Sequence, residues 1–404
     1  MLPFSPPHIR QDVIDEVCKV LLSGWITTGP RTKAFEKELT SYCGNKNTLC
    51  LNSATAGLEL ILRWFGVKEG DEVILPAYTY SATANVVSHC GAKVVFVDVH
   101  PDTFNILPEA IEKAITSKTK VIMPVDFAGF PCEYKKINDL TKKYTLTFNP
   151  ENDIQKKLGR ILILSDSAHS IGAKQNGLRA GSLTDVSVFS FHAVKNLTTA
   201  EGGAIALNLP DPFDNQEIYN ALCIKSLHGQ NKDALAKTQK GNWKYDIVEA
   251  GYKCNMTDIQ AAIGQIELAR YDNETLPKRK NICTFYSDNL KQFDWAQLPV
   301  FKNEESESCY HLYPLRIKNC TEEQRDLIIQ EIFDQEVSVN VHFIPVPKMS
   351  FYSSQGYDIN NYPNTLDNYS REITLPVYTL LNDEQLNQVL NALISAVNKI
   401  LFQS

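Results

Sequence analysis

The chain has 404 residues, 43% of them hydrophobic and 22% charged, with a formal net charge of −7; this is the composition of a globular protein large enough for two domains. The acidic balance argues against a nucleic-acid or anionic-membrane partner, because counterion release needs a basic face. The ten cysteines show no CxxC pair or metal-type spacing, and no apolar run is long enough to span a bilayer. The expectation is therefore free thiols in a reducing cytoplasm, with no metal and no membrane partner.

The opening "MLPFSPPHIRQDVIDEV" has no basic stretch followed by an apolar one, so no secretory signal is expected. From "TLCL" onward, short β-branched runs alternate with helical patterns. "TLCL" passes through a polar turn into the helical "TAGLELILRWFG", whose start lies near Ser53, Ala54 and Thr55. Free amides and the helix dipole make such a start attractive to a phosphate, although Ser53 or Thr55 there is also an ordinary N-cap. "EVILPAY" follows, and past it Tyr78 and Tyr80 offer aromatic faces that could stack on a flat cofactor or simply pack on a helix. "KVVFVDV", the helical "LPEAIEKAI" and "KVIMPVDFAG" come next. Thr145 to Arg160 then read as a polar insertion, to which no role is assigned.

"RILILSDSAHS" sets Asp166 just past a buried strand, with His169 three residues on. A carboxylate there can hold a proton on a ring nitrogen, or cap a turn. "SVFSF" and "GAIAL" flank "HAVKNLTTAEG" and leave Lys195 between two strand-like runs. All these runs are apolar throughout, as in a largely parallel sheet covered by helices on both faces, where ligands bind beyond the carboxyl ends of the strands. Beyond about residue 270, "QRDLIIQEIF" reads as a helix, "VSVNVHF" as a strand and "DEQLNQVLNALISAVNKIL" as an amphipathic helix. The expected organisation is a large α/β domain with an N-terminal arm, residues 1–270, and a smaller α+β domain, residues 271–404.

No GxGxxG, GxxxxGK[ST] or GxSxG follows any of the strands. A phosphate-binding helix start, an aromatic plate, a strand-end aspartate and a strand-end lysine together match the needs of pyridoxal 5'-phosphate. Lys195 is thereby read as the Schiff-base lysine, with burial and nearby positive charge lowering its pKa.

The stretches "SGWITTGP", "LNSATAGLEL", "LPAYTYSATANVV", "DVHPDTFNI", "LSDSAHSIGA", "SVFSFHAVKNLTTAEGGAIAL" and "GYKCNMTDIQAAIGQIEL" resemble, in order and spacing, the DegT/DnrJ/EryC1/StrS family of sugar aminotransferases. The resemblance implies fold type I of the pyridoxal-phosphate-dependent transferases. It makes Lys195 the catalytic lysine and Asp166 the partner of the pyridine nitrogen. It places Tyr80 on the ring, His169 beside the ring's 3-hydroxyl, and Ala54, Thr55 and Ser190 at the phosphate. It also implies a homodimer with shared sites, in which Lys253 or Asn255 reaches the partner's cofactor phosphate. The loop Trp25, Ile26, Thr27, Thr28 and Gly29 would line the nucleotide-sugar site, with His342 a further candidate there. Near residue 253 the family's Gly-Tyr-Asn-x-Arg is replaced by "GYKCN", and Asp126 stands where the family often has histidine.

Relatives that dehydrate a sugar at C3 carry histidine in place of the lysine, so Lys195 implies transamination. Within the family, "SGWITTGP", "SATAG" and "FSFHAVKN" are similar to the enzyme making UDP-4-amino-4-deoxy-L-arabinose. The implied reaction moves an amino group from L-glutamate to C4 of a nucleotide-linked keto-deoxy sugar, for cell-surface polysaccharide or lipid sugar synthesis. C3 of such a sugar, a cyclitol, or a non-catalytic regulator of the same fold are the alternatives.

Overall fold

The structure, a computed structural model, describes residues 1–232 and 244–402. The first nine strands are β1 (Asn47–Leu51), β2 (Glu72–Pro76), β3 (Lys93–Val97), β4 (Thr119–Ile122), β5 (Leu162–Asp166), β6 (Lys174–Gln175), β7 (Leu178–Arg179), β8 (Val186–Ser190) and β9 (Gly203–Leu207). Seven of them form one sheet in the order β1-β9-β8-β5-β4-β2-β3, and these are the seven apolar runs of the sequence. Strand β9 pairs antiparallel with both neighbours, while the pairs from β8 to β3 are parallel. The carboxyl ends of β1, β2, β4, β5 and β8 therefore share one edge with the amino end of β9.

Eight helices precede residue 227: α1 (Gln11–Ser23), α2 (Pro30–Cys43), α3 (Ala54–Trp64), α4 (Ser81–His89), α5 (Pro108–Ala114), α6 (Tyr134–Lys143), α7 (Asp153–Leu158) and α8 (Asn215–Ser226). Alternate strand residues go to opposite faces, as the pleat requires. Leu49, Leu51, Val186, Val188, Ile205 and Leu207 pack with Leu58, Ile61 and Leu62 of α3. Their neighbours Cys50, Phe189, Ala204 and Ala206 pack with Phe35 and Leu39 of α2 and with Ala261 and Leu268 of the helix Asp258–Arg270. Both faces of the sheet are dry, which is why its strands carry no polar alternation.

The insertion at residues 145–160 has a structural role. Asn152 caps α7 by accepting from the Gln155 amide at 2.9 Å, and both side chains donate to Phe65 O, at 3.1 and 2.9 Å. Lys120, buried at the start of β4, donates to Asn149 O at 2.5 Å and pairs with Glu151 at 3.2 Å. The insertion thus closes the carboxyl end of α3, away from the edge where the strands β1, β2, β4, β5 and β8 end.

Four further strands follow among the described residues: β10 (Ala296–Gln297), β11 (Ser306–Glu307), β12 (Tyr313–Ile317) and β13 (Glu372–Leu375). Strands β10, β12 and β13 make an antiparallel sheet, and β11 joins β6 and β7 in another. The helix Asp383–Leu401 buries Leu386, Val389, Leu390, Leu393, Ala396 and Val397 along one stripe. It shares a second hydrophobic cluster with Ile328 and Ile332 of the helix Glu322–Asp334, and Leu2 of the N-terminal arm belongs to that cluster. The strand expected from "VSVNVHF" does not form. Only Val337 and Asn340 make isolated bridges, to Leu2 and Thr374, and His342 N donates instead to the Glu372 carboxylate at 3.0 Å. Its apolar alternation serves a connection that changes partner every few residues, not a ladder.

Candidate active site

A cavity of about 450 Å³ opens at the shared edge of the large sheet. Ser53, Ala54 and Thr55 after β1, Thr79 and Tyr80 after β2, Val125 after β4, Asp166 of β5 and Ser190 of β8 all line it, with Gly202 before β9. These residues lie at or just past strand ends, the position where this class of sheet binds ligands. His169 and Lys195 line the cavity as well, and His342 and Phe343 close it from the C-terminal part.

Asp166 is buried, and burial pushes its carboxyl above the usual carboxylate range. Opposing this, Thr83 Oγ1 donates to Oδ2 at 2.8 Å, the Ala168 amide donates to Oδ1 at 3.2 Å, and Lys195 adds a favourable charge. The Lys195 amine is pushed down to about 8 by burial, against the pull of Asp166 and the Cys309 thiol. An amine there is partly unprotonated at physiological pH and can act as a nucleophile and proton carrier. Burial and the neighbouring Lys195 and His342 hold His169 neutral, well below its ordinary value. Its ring lies 4.3 Å from that of His311, and its buried Nδ1 has no hydrogen-bond partner among the described residues.

At the other end of the cavity, Ser53 is the N-cap of α3, accepting from the Ala56 amide at 3.1 Å. The plain capping role therefore belongs to Ser53, and Ala54 and Thr55 form the first turn above it. Gly203 permits this arrangement, since a Cβ there would lie 2.5 Å from Ala54 N and from Ser53 C. Hydroxyls of Thr55 and Ser190 beside a helix amino terminus suit a phosphate. A carboxylate, a low-pKa amine and an orphaned buried ring nitrogen suit a pyridine ring with polar substituents. The residues present fit pyridoxal 5'-phosphate.

The structure separates Tyr78 from Tyr80. Tyr78 is buried against Phe104 and Phe127, at 5.0 and 5.3 Å between ring centroids, and donates to His342 O at 2.7 Å. Tyr80 is 59% exposed and lines the cavity, its ring 5.6 Å from Phe343. Asp126 lies outside the cavity, fully buried and held by Cys132 N, Tyr134 and Ser170 at 2.9, 2.6 and 2.7 Å.

Trp25, Ile26, Thr27, Thr28, Gly29, Lys253 and Asn255 do not line the cavity of their own chain. They form a separate unit. Lys253 Nζ donates to Asn255 Oδ1 at 2.6 Å, Asn255 Nδ2 donates to Thr28 Oγ1 at 2.6 Å, and Trp25 Nε1 donates to Thr28 O at 3.2 Å. Buried Asp258 ties this unit to α2 by accepting from Gly29 N, Arg31 N, Thr32 N and Thr32 Oγ1 at 2.7 to 3.1 Å.

Thr83, His311 and the N-terminal Phe4 and Ser5 are additions that sequence reasoning missed. Thr83 could have been found as the residue one turn beyond Tyr80 on the face of α4 toward β5. His311 stands just ahead of β12 with no chemical motif around it. No disulfide joins any cysteine of the described residues. Among the described residues no group of three or more His, Cys, Asp or Glu could hold a metal ion, and no helix is long and apolar enough to cross a membrane.

Sheet order, strand-end site and donor set define a pyridoxal-phosphate-dependent aminotransferase of fold type I. The chain belongs to the DegT/DnrJ/EryC1/StrS aminotransferase family, whose profile matches residues 7–394. It is 45% identical to Spr1654 of Streptococcus pneumoniae, a candidate sugar aminotransferase solved in its PMP-form, covering 99% of this chain and 100% of that one with a TM-score of 0.96. The PLP-form of the same protein aligns with a TM-score of 0.94 at 44% identity, covering 99% of each chain. Among curated proteins it is 34% identical over 395 residues to the spore coat polysaccharide biosynthesis protein SpsC of Bacillus subtilis, covering 97% of this chain and 96% of SpsC.

Proposed function

We propose that the protein transfers an amino group from L-glutamate to the C4 keto group of a nucleotide-linked keto-deoxy sugar, in cell-surface polysaccharide synthesis in the cytoplasm. The observation that carries this reading is Lys195, an amine held near 8 beside the buried carboxylate of Asp166 in one cavity. Similarity to Spr1654, a candidate sugar aminotransferase, and to SpsC, a polysaccharide biosynthesis protein, supports a sugar as the acceptor.

When bound, pyridoxal phosphate supplies the electron sink through which an amino group passes from donor to keto acceptor. Asp166 is the carboxylate to hold the ring N–H, and Thr83 and Ala168 N keep its lone pairs aimed and its charge in place. Ala54, Thr55 and Ser190 would hold the phosphate, Tyr80 would pack on the ring, and His169 Nδ1 would be open to a ring substituent. Lys195 Nζ moves the proton, giving and taking it at a pKa matched to neutral solution. In the same proposal Lys253 or Asn255 and the loop 25–29 complete the cavity of a second copy, and the division into residues 1–270 and 271–404 separates the cofactor-binding part from the part carrying His342.

The test is to supply glutamate with UDP- and dTDP-linked 4-keto and 3-keto sugars and to measure amino-sugar and 2-oxoglutarate. Amination of a 4-keto sugar, with 2-oxoglutarate formed in step, is expected. Turnover of 3-keto sugars alone would move the reaction to C3, and turnover of none would end the sugar reading.

A further inference from the structure

A buried polar cluster behind His342 takes no part in the chemistry above. Glu372 and Thr374 lie two residues apart on β13, so both side chains leave the same face of the strand, and neither is exposed. Glu372 Oε2 accepts from the His342 main-chain amide at 3.0 Å. The Thr374 hydroxyl meets Glu372 Oε1 and stands 2.9 Å from His342 Nδ1. Tyr78 donates to His342 O at 2.7 Å, and Phe4 stacks on the imidazole with centroids 5.6 Å apart. His342 is therefore fixed at its amide, its carbonyl, one ring face and Nδ1. Its Nε2 has no hydrogen-bond partner among the described residues, and the residue lines the cavity.

A hydroxyl has one proton to give, and an ionised carboxylate only accepts. With Glu372 ionised, Thr374 must donate to it, so Nδ1 carries the ring proton and Nε2 presents a lone pair. With Glu372 protonated, its O–H donates to Thr374, the hydroxyl turns to Nδ1, and Nε2 carries the proton. We propose that Glu372 and Thr374 are positioning residues that set the tautomer of His342, and with it whether Nε2 accepts a hydrogen bond from the bound substrate or donates one. That substrate contact rests on the reading of the cavity given above; the tautomer relay does not.

The surroundings let both states occur. Burial drives Glu372 up to about 8, against the favourable charges of Arg325 on the helix Glu322–Asp334 and Arg316 on β12. Tyr78 also faces Glu372. On the cavity side Lys195, His169 and His311 face His342. Burial, then Lys195, hold His342 at about 3. Its ring stays neutral, and the relay moves a tautomer without adding charge.

The experiment follows the ring nitrogens of His342 by NMR in ¹⁵N-histidine-labelled holoenzyme, from about pH 6 to about pH 10, with H342Q for assignment. In Glu372→Gln the amide oxygen takes the His342 amide and the amide NH₂ donates to Thr374, freezing the protonated-carboxyl pattern. Wild type should pass from Nε2–H to Nδ1–H as pH rises, while E372Q stays Nε2–H throughout. T374S should keep the exchange and T374V should lose it, which carries the test if E372Q does not fold. One tautomer at every pH in wild type, or the same exchange in T374V, would overturn the proposal. No substrate is needed, so failure of every keto-sugar leaves this result independent. With an accepted sugar, E372Q should flatten the pH dependence of its KM while kcat changes less than about threefold.

Discussion

At the residue scale, the site is built on two ionisable groups kept in uncomfortable states. Lys195 falls from 10.5 to about 8, mainly by burial. A depressed pKa contributes stability above the unfolded value that is lost as pH falls through the folded one. At neutral pH the cofactor-free protein thus carries a charged amine at a cost, and Lys195→Met should stabilise it by about 2 kcal/mol, less than the full shift because Lys195 lines the cavity and is only half-buried. Thermal melts of the cofactor-free forms should show K195M higher near neutrality, with the gap closing as pH rises from 8 toward 10.5; a lower K195M melt would refute the buried charge. Asp166 is pushed upward by burial, and the Thr83 hydrogen bond is the foremost contact opposing that shift. Thr83→Val removes one charge-assisted hydrogen bond and should lower kcat/KM about tenfold, with Asp166→Asn about a thousandfold; equal activity in T83V would show that the Ala168 amide suffices. Asp166 was legible in the sequence because it ends an apolar run, and Lys195 because it lies between two such runs. Thr83 and His311 were not, because their partners are 83 and 115 residues away and nothing local marks them.

At the element scale, the seven strands of the main sheet could be read because a strand buried on both faces has no polar positions to confuse the pattern. The direction of β9 could not, since an apolar run carries no sign. The misread "VSVNVHF" shows the complementary limit: its alternation is that of a strand, but its hydrogen bonds go to Leu2, Thr374 and the Glu372 side chain in turn. Among helix ends, the start of α3 matters most to function. Ser53→Ala should cost about 1 kcal/mol through the lost cap and also loosen the first turn, where the proposed function puts Ala54 and Thr55 at the phosphate. Urea unfolding together with cofactor release on dilution checks both. A stability loss without faster release would mean that the first turn holds its shape without the cap.

At the scale of the whole molecule, the chain separates fastening from chemistry. The insertion at residues 145–160 and buried Lys120 secure the far end of α3, while Asp166, Lys195 and Ser190 meet at the near edge. The N-terminal arm runs from the second hydrophobic cluster, where Leu2 packs, to the cavity wall, which Phe4 lines. The polar unit of Thr28, Lys253 and Asn255 does not line its own cavity, and under the proposed function it would complete the cavity of a second copy. Everything functional depends on Lys195 being the residue that carries the cofactor. The most direct measurement is the visible spectrum of the protein loaded with pyridoxal phosphate, followed by borohydride reduction and peptide mapping. The prediction is a yellow protein that bleaches on reduction, with the cofactor fixed on Lys195 and on no other lysine. A protein that stays colourless, or one whose label maps elsewhere, would contradict the assignment of this cavity as the catalytic site.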